Sequence, residues 1–218
     1  MSKCLICASS TYQIEDTQIK HQHRYITYNV CEKCGFTFKD HAFHINHTEE
    51  KKQYDFHENT LENEGYVNMF KRFIADAIDP FIQQGECLDF GSGPGPVLSI
   101  LLKQKGFNVT LYDPFYANDQ TALNKQYDLI TSTEVFEHFF TPKQTINELV
   151  NLLKPKGILA IMTSFKTMND TAFLKWWYRR DATHVCFYTL SAFQEIEQTF
   201  QLQRLYTNHK NIIVLKKR

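Results

Sequence analysis

The stretch that decides the fold is "CLDFGSGPGPVL", residues 87–98. It reads as a short apolar strand ending at Asp89 and Phe90, then Gly91, Gly93 and Gly95 at alternate positions, then an apolar helix. Pro96 suits a first helical position, where its missing N–H would have been unpaired anyway. The loop raises one question: does it cradle a phosphate, or let another cofactor lie against the backbone? The dinucleotide fingerprint needs glycine at its sixth position, and that position is Pro96. No G-K-[ST] ending follows, so the phosphate-binding P-loop is excluded.

Working outward, strands and helices alternate. Upstream, Tyr66, Phe70, Phe73, Ile74, Ala77, Ile78 and Phe81 recur at three- and four-residue intervals, which predicts an amphipathic helix ending near Pro80. Downstream, the helix from Pro96 closes at Gly106. The strand "FNVTLYD" then ends at Asp113, and "YDLITS" ends at Ser132. Thr141-Pro142 opens a helix with capping-box spacing to Gln144. The strand "ILAIMTSF", the helix "LSAFQEIEQTF" and two strands joined by "NHK" complete the chain. Repeated strand–helix units imply a doubly wound, mostly parallel α/β sheet. The three-residue final turn can only join antiparallel strands.

Cys4-x-x-Cys7 and Cys31-x-x-Cys34 place two thiol pairs on two tight turns, the pattern of a structural Zn²⁺ site. A redox dithiol would need a thioredoxin-like βαβ context, which is missing here. The intervening residues alternate polar and β-forming side chains, as in a small hairpin or three-stranded sheet. A module this short gains its stability from metal rather than apolar burial. His21, His23, His41, His44 and His47 are expected at the solvated surface, because four cysteines already close the site. Cys87 and Cys186 are expected as buried thiols. The domains fall at 1–48 for the ribbon and 49–218 for the α/β unit, with 49–85 as lead-in helices.

Together, "LDFGSGPGP", Asp113, "YDLITSTEVFEHF" and "LLKPKGILAIMT" resemble the class I S-adenosylmethionine-dependent methyltransferases, over nearly the whole chain. "CLIC…CEKCG", "QYDFHEN" and "DATHVCFYT" are similar to bacterial members that carry an N-terminal zinc ribbon. The resemblance implies a Rossmann-like fold and S-adenosyl-L-methionine as cofactor. This cofactor has no phosphate, so the loop's glycines would admit its methionine and ribose where a Cβ would collide. The implied cofactor set is Asp89, Gly91, Ser92, Gly93, Gly95, Asp113, Pro114, Ser132 and Tyr54, with Asp113 on the ribose hydroxyls. The sequence departs from the family between Asp113 and Tyr127, where too few residues remain for its usual helix and third strand. Asp119 is a weak substitute for that strand's acidic residue; Phe115 and Tyr116 either face the purine or simply pack.

The chemistry belongs at the carboxyl ends of the strands. If 134–138 is helical, Glu134, Glu137 and His138 share a face, and His184 enters the same mouth from a later loop. Glu-x-x-Glu-His with a later histidine resembles the divalent-metal site of small-RNA 3′-terminal 2′-O-methyltransferases and of quinone-pathway O-methyltransferases. A second divalent metal and a metal-free pocket with a histidine base both stay open. "FLKWWYRRDATH" supplies Trp177 and Arg180 as expected substrate contacts, with His57 beside them; a loop packed on the core is an equal reading.

Lys+Arg and Asp+Glu both count 24 in 218 residues, so no net charge advertises a nucleic-acid or membrane partner. No run approaches the ~20 apolar residues of a membrane span, and six cysteines without an export signal point to a reducing cytoplasm. The expected function is methyl transfer to a small-molecule acceptor. The alternatives are RNA methylation, with the ribbon and Arg179/Arg180 on phosphates, and a non-catalytic interaction module that retains the cofactor fold.

Overall fold

A period-two alternation organises the centre of the molecule. In a computed structural model that describes residues 2–56 and 60–218, Cys87, Leu129, Ile158 and Ala160 point to one face of a sheet. Their neighbours Leu88, Ile130, Leu159 and Ile161 point to the other. Strands buried on both faces read as continuous apolar runs, as these do.

That sheet has six strands. β4 (Glu86–Phe90), β5 (Asn108–Tyr112), β6 (Tyr127–Thr133) and β7 (Leu153–Met162) run parallel, in the order β5-β4-β6-β7. β10 (Ile212–Lys217) joins β7 antiparallel, and β9 (Leu202–Thr207) pairs antiparallel with β10. The short terminal turn therefore does what its length requires. On one face lie helices α2 (Glu64–Ala77) and α3 (Val97–Gln104), which bury Phe70, Phe73, Ile74, Leu98 and Leu102. On the other, α4 (Pro142–Leu152) and α6 (Leu190–Thr199) bury Ile146, Leu149, Phe193 and Ile196. Pro142 holds the first turn of α4 as expected, but the Thr141 side chain makes no capping bond. Gln144 turns instead to Glu148, so the capping-box spacing is not used.

No third strand and crossover intervene between β5 and β6. Residues Gln120–Asn124 form a single 3₁₀ turn, N-capped by Asp119, whose side chain accepts from Thr121 N–H. Asp119 is thereby occupied away from the site.

The N-terminal residues form a second sheet. β1 (Thr11–His21) and β2 (Arg24–Cys31) make a hairpin whose two-residue turn, Gln22-His23, has φ of 47° and 66°. Positive φ at both positions is what a twisted two-residue hairpin turn demands. β3 (Thr37–Lys39) continues the sheet, and β8 (Cys186–Phe187), from far along the chain, completes the order β1-β2-β3-β8. Cys31, Cys34, Phe36 and Phe38 pack in the same apolar cluster as Phe136, Tyr188 and Phe193. Two shorter helices, α1 (His47–Tyr54) and α5 (Asp170–Lys175), flank the carboxyl edge of the parallel strands and the loop after β7.

Candidate active site

The carboxyl ends of β4, β5 and β6 open into one cavity of about 620 Å³. Its floor is the glycine loop. Gly91 has φ +78°, and a Cβ there would stand 2.3 Å from Val135 Cγ2. That position needs glycine on both counts. Gly91 N–H and Ser92 N–H donate to Tyr112 C=O, which turns the loop back under β5.

Two buried carboxylates frame this floor. Asp89 accepts from Ser99 Oγ at 2.7 Å and Thr131 Oγ1 at 3.0 Å. Burial pushes its pKa up to about 6, against those two hydrogen bonds and with a further rise from Asp113. Asp113 accepts from Gly93 N–H at 3.0 Å and from the N–H groups of Phe115 and Tyr116 at 2.8 and 3.1 Å. A carboxylate offers about four acceptor positions, so about one remains for a ligand hydroxyl. Asp89, Gly91, Ser92, Gly93, Gly95, Asp113, Pro114 and Tyr54 all line the cavity, with Phe115 and Tyr116 at its side. Ser132 does not. It is fully buried behind the wall, and its neighbour Thr133 takes the lining position, one step along a strand whose side chains alternate.

Above the floor lies a cluster of titratable groups. Residues 134–138 are not one helix. Glu134 takes a left-handed φ of 54° and donates its N–H to Met162 C=O at 2.7 Å. A 3₁₀ turn, Phe136–His138, follows. Glu134, Glu137 and His138 therefore do not sit on one α-helix, yet a side chain from elsewhere unites the two glutamates. Tyr178 donates its hydroxyl to Glu137 Oε1 at 2.5 Å, and the phenol oxygen also lies 3.3 Å from Glu134 Oε2. Thr163 Oγ1 donates to the other Glu137 oxygen at 2.8 Å. Burial, then the neighbouring Glu137, raises the Glu134 pKa well above the carboxylate range. A proton on Glu134 would satisfy its contact with the phenol oxygen, since one phenol proton cannot serve both carboxylates.

The histidines are oriented by backbone. His138 Nδ1 lies 3.1 Å from Thr183 C=O, and His184 Nδ1 lies 2.7 Å from Tyr178 C=O. A carbonyl can only accept, so each Nδ1 carries a proton, and in the neutral ring each Nε2 keeps its lone pair. The two ring centroids are 4.9 Å apart. One Glu137 oxygen and one nitrogen from each ring lie within 4.8 Å of one another, close enough to share an ion. Burial, followed by His138, lowers the His184 pKa.

The loop after α5 behaves in two ways. Trp177, 69% exposed, lines the cavity. Arg179 turns the other way, fully buried, into an ion pair with Asp16 of β1 at 2.6 Å. Arg180 is exposed and lines a separate cavity of about 90 Å³ between the loop and the hairpin. Neither arginine lines the main cavity, although Arg180 was expected as a substrate contact. His57 lies outside the described residues. Reading the sequence also missed Tyr178, Asp181 and Glu50, which line the cavity. Glu50 had a usable signal, since it sits four residues before Tyr54 on α1 and accepts its hydroxyl at 2.8 Å.

The four cysteines of the N-terminal knuckles converge. Sγ–Sγ separations are 3.8 Å for Cys4–Cys34, 3.5 Å for Cys7–Cys31 and 3.8 Å for Cys7–Cys34. A tetrahedron with Zn–S near 2.3 Å has edges of ~3.8 Å, so the donor set fits that ion. Ile6 N–H and Cys34 N–H donate to Cys4 and Cys31 sulfurs, as thiolate ligands favour. Cys87 and Cys186 are buried as expected. His44 is not solvated: it is half-buried, with Nε2 3.1 Å from Lys39 C=O. His47 is exposed at the cavity rim, its ring 4.3 Å from Phe115.

Comparison with known proteins agrees with this geometry. A family described as "Methyltransferase domain" matches residues 64–206. The ubiquinone biosynthesis O-methyltransferase of Rickettsia bellii is 35% identical over 104 residues, covering 38% of this chain and 43% of that protein. The chain thus matches less than half the length of that relative. A putative methyltransferase from Bacillus halodurans superposes with a TM-score of 0.50 at 18% identity, covering 64% of this chain and 67% of the other. A putative sarcosine dimethylglycine methyltransferase from Galdieria sulphuraria gives 0.50 at 13%, covering 76% and 90%. These two likenesses speak for the fold. No described helix is long and apolar enough to cross a membrane.

Proposed function

The chain belongs to the methyltransferase-domain family, and from that premise we propose that it transfers the methyl group of S-adenosylmethionine to a heteroatom of a small-molecule acceptor. The observation that carries this reading is a single cavity whose floor is the glycine loop with Asp113 and whose lining includes His138 and His184, each with Nδ1 turned to a backbone carbonyl. Oxygen is the favoured acceptor atom, in keeping with the name of the Rickettsia relative.

The cofactor supplies an activated sulfonium methyl, and the protein supplies alignment and a proton acceptor. Asp113 would take a ribose hydroxyl on its remaining lone pair. Asp89, already braced by Ser99 and Thr131, would face the methionine ammonium. As the S–CH₃ bond breaks and the new O–CH₃ bond forms, the acceptor's proton would pass to Nε2 of His138 or His184. Tyr178 and Thr163 hold Glu137 beneath the imidazoles, and Trp177 offers a flat wall to the acceptor.

A second reading rests on one specific observation, the convergence of Glu137, His138 and His184. That donor set fits a divalent cation, which would lower the pKa of an acceptor hydroxyl. Zinc is proposed for Cys4, Cys7, Cys31 and Cys34, with residues 1–48 as the ribbon and 49–218 as the methyltransferase unit. RNA methylation is less well supported, since Arg179 is taken up by Asp16 and Arg180 faces away from the cavity. The deciding experiment incubates purified protein with isotopically labelled S-adenosylmethionine and a fractionated metabolite extract. Labelled small molecules detected by mass spectrometry support the reading. Label appearing only in added RNA, or nowhere, would sink it.

A further inference from the structure

The cavity walls have an unusual charge census. Glu50, Asp89, Asp113, Glu134, Glu137 and Asp181 all line it, and among the described lining residues there is neither lysine nor arginine. Asp89 and Asp113 belong to the cofactor floor. The other four border the space left for an acceptor, Glu134 as a neutral acid by its raised pKa and Glu50, Glu137 and Asp181 as the carboxylates.

The nearby cations are committed elsewhere. Lys51 pairs with Asp55 at 2.9 Å and lies over the outer ring of Tyr116. Lys39 donates to Ala182 C=O at 2.9 Å from the ribbon side of the loop. Arg179 is locked to Asp16, and Arg180 lines the smaller cavity. None can reach an anion in the main cavity without breaking a contact or turning its loop.

The remaining wall is aromatic. Tyr54, Phe140, Trp177 and Tyr178 line the same space. Ring faces beside carboxylates attract a cation twice, through the quadrupole and through Coulomb's law, and accept a neutral ring by stacking. An anion meets the carboxylates of Glu50, Glu137 and Asp181 there, in walls that screen poorly. Only the imidazoles of His47, His138 and His184, and no lysine or arginine, stand among the described lining to offset its lost hydration.

We propose that the acceptor half of this cavity admits neutral or cationic aromatic acceptors and rejects carboxylates and phosphates. This rests on the methyl-transfer reading and narrows its substrate class. The rejection is electrostatic and not steric, since shape leaves room for a ring with a short side arm whatever its charge. Asp181 and Glu50 carry it, because they border the acceptor space while making no contact with the glycine loop.

The test uses three probes with one catechol ring and a two-carbon arm: 3,4-dihydroxyphenethylamine, 3,4-dihydroxyphenylethanol and 3,4-dihydroxyphenylacetate. Binding to the 218-residue protein saturated with S-adenosylhomocysteine is read by saturation-transfer NMR in metal-depleted buffer. The amine and the alcohol should bind, and the acid should bind about tenfold more weakly or worse. In Glu50→Gln/Asp181→Asn protein the gap between amine and acid should narrow, while the alcohol's affinity changes little. Equal or tighter binding of the acid to wild type overturns the proposal, as does failure of all three probes to bind. An unaltered gap in the double variant overturns the role given to those two carboxylates. Failure of S-adenosylhomocysteine itself to raise the melting temperature would instead count against the methyl-transfer reading, so the two failures are distinguishable.

Discussion

Tyr178 reaches 41 residues back along the chain to donate to Glu137 at 2.5 Å, inside a pocket where both side chains are almost completely buried. The contact fixes the loop that carries Trp177 onto the strand-end turn that carries His138. It also places the backbone carbonyl of Tyr178 on His184 Nδ1. One residue thus sets a carboxylate, an imidazole tautomer and a lining wall.

Tyr178→Phe should therefore lower the rate of methyl transfer by about 10–100-fold, the worth of a hydrogen bond to a charged group. Affinity for S-adenosylhomocysteine should stay near wild type, since Asp113 and the glycine loop are untouched. Turnover and calorimetric binding, measured on the same preparation, check the split. Equal losses in both would show that Tyr178 only holds the fold.

Purified protein should contain about one zinc per chain, and Cys31→Ser should release it, as read by elemental analysis. Release should be felt beyond the knuckles. Thr189 Oγ1 donates to Cys34 C=O at 2.5 Å, and Lys39 N–H donates to Val185 C=O at 2.9 Å, next to His184. The melting temperature of the whole chain should fall, not that of an N-terminal fragment alone.

S-adenosylhomocysteine should raise the melting temperature, by the equivalent of about 2.7 kcal/mol at a hundredfold excess over its dissociation constant. Asp113→Asn should lose most of that shift. The amide keeps one acceptor for the Phe115–Tyr116 turn but turns a donor toward Gly93 N–H. A full shift in the variant would mean that Asp113 does not meet the ligand.

The parts of this site written in consecutive residues were legible from the sequence. Gly91, Gly93 and Asp113 sit at fixed offsets from strand ends, and strands and glycines announce themselves locally. So did the four cysteines, whose x-x spacing is a property of one turn. Tyr178 was hidden among Trp176, Trp177 and two arginines, any of which suits a substrate loop. Its partner lies in the 3₁₀ turn after β6, and nothing local says which ring turns inward. Arg179 was misplaced for the same reason: its counter-charge, Asp16, belongs to a hairpin 163 positions earlier. The joining of β3 to β8 is likewise a two-residue pairing between distant segments, with too short a strand to show a period. The shared face of Glu134, Glu137 and His138 held only if 134–138 were helical, and spacing cannot reveal a left-handed residue such as Glu134.

His44 supplies a pH dependence. Burial, chiefly, lowers its pKa to about 4, against ~6.5 in an unfolded chain. Between those values the unfolded state binds more protons than the folded one, so stability is present above pH ~6.5 and is lost as the pH falls toward 4. His44→Gln should flatten that loss. Urea melts of both proteins at pH 7.5 and 5.0 measure it; an equal decline in the two would show that other groups set the acid limit.

The histidine pair separates the two chemistries of the proposed reaction. If His138 and His184 act as bases only, the alanine variant of the one that takes the proton should lose rate by roughly 10²–10⁴-fold, and chelators should have no effect on wild type. If they ligate a divalent ion with Glu137, gentle EDTA treatment should abolish methyl transfer while leaving S-adenosylhomocysteine binding intact, and Mg²⁺, Mn²⁺ or Co²⁺ should restore it. The two cases differ in what else fails. Stripping zinc from the cysteine site would lower the melting temperature through Cys34 and Thr189, whereas removing an ion from the cavity would leave that contact untouched. The control is a melting curve taken after chelation and before activity is assayed. The base-only outcome is the one expected, because Tyr178 and Thr163 each donate to one oxygen of Glu137 and so hold it in place without an ion. Activity restored by metal at an unchanged melting temperature would reverse that assignment and make Glu137 a ligand.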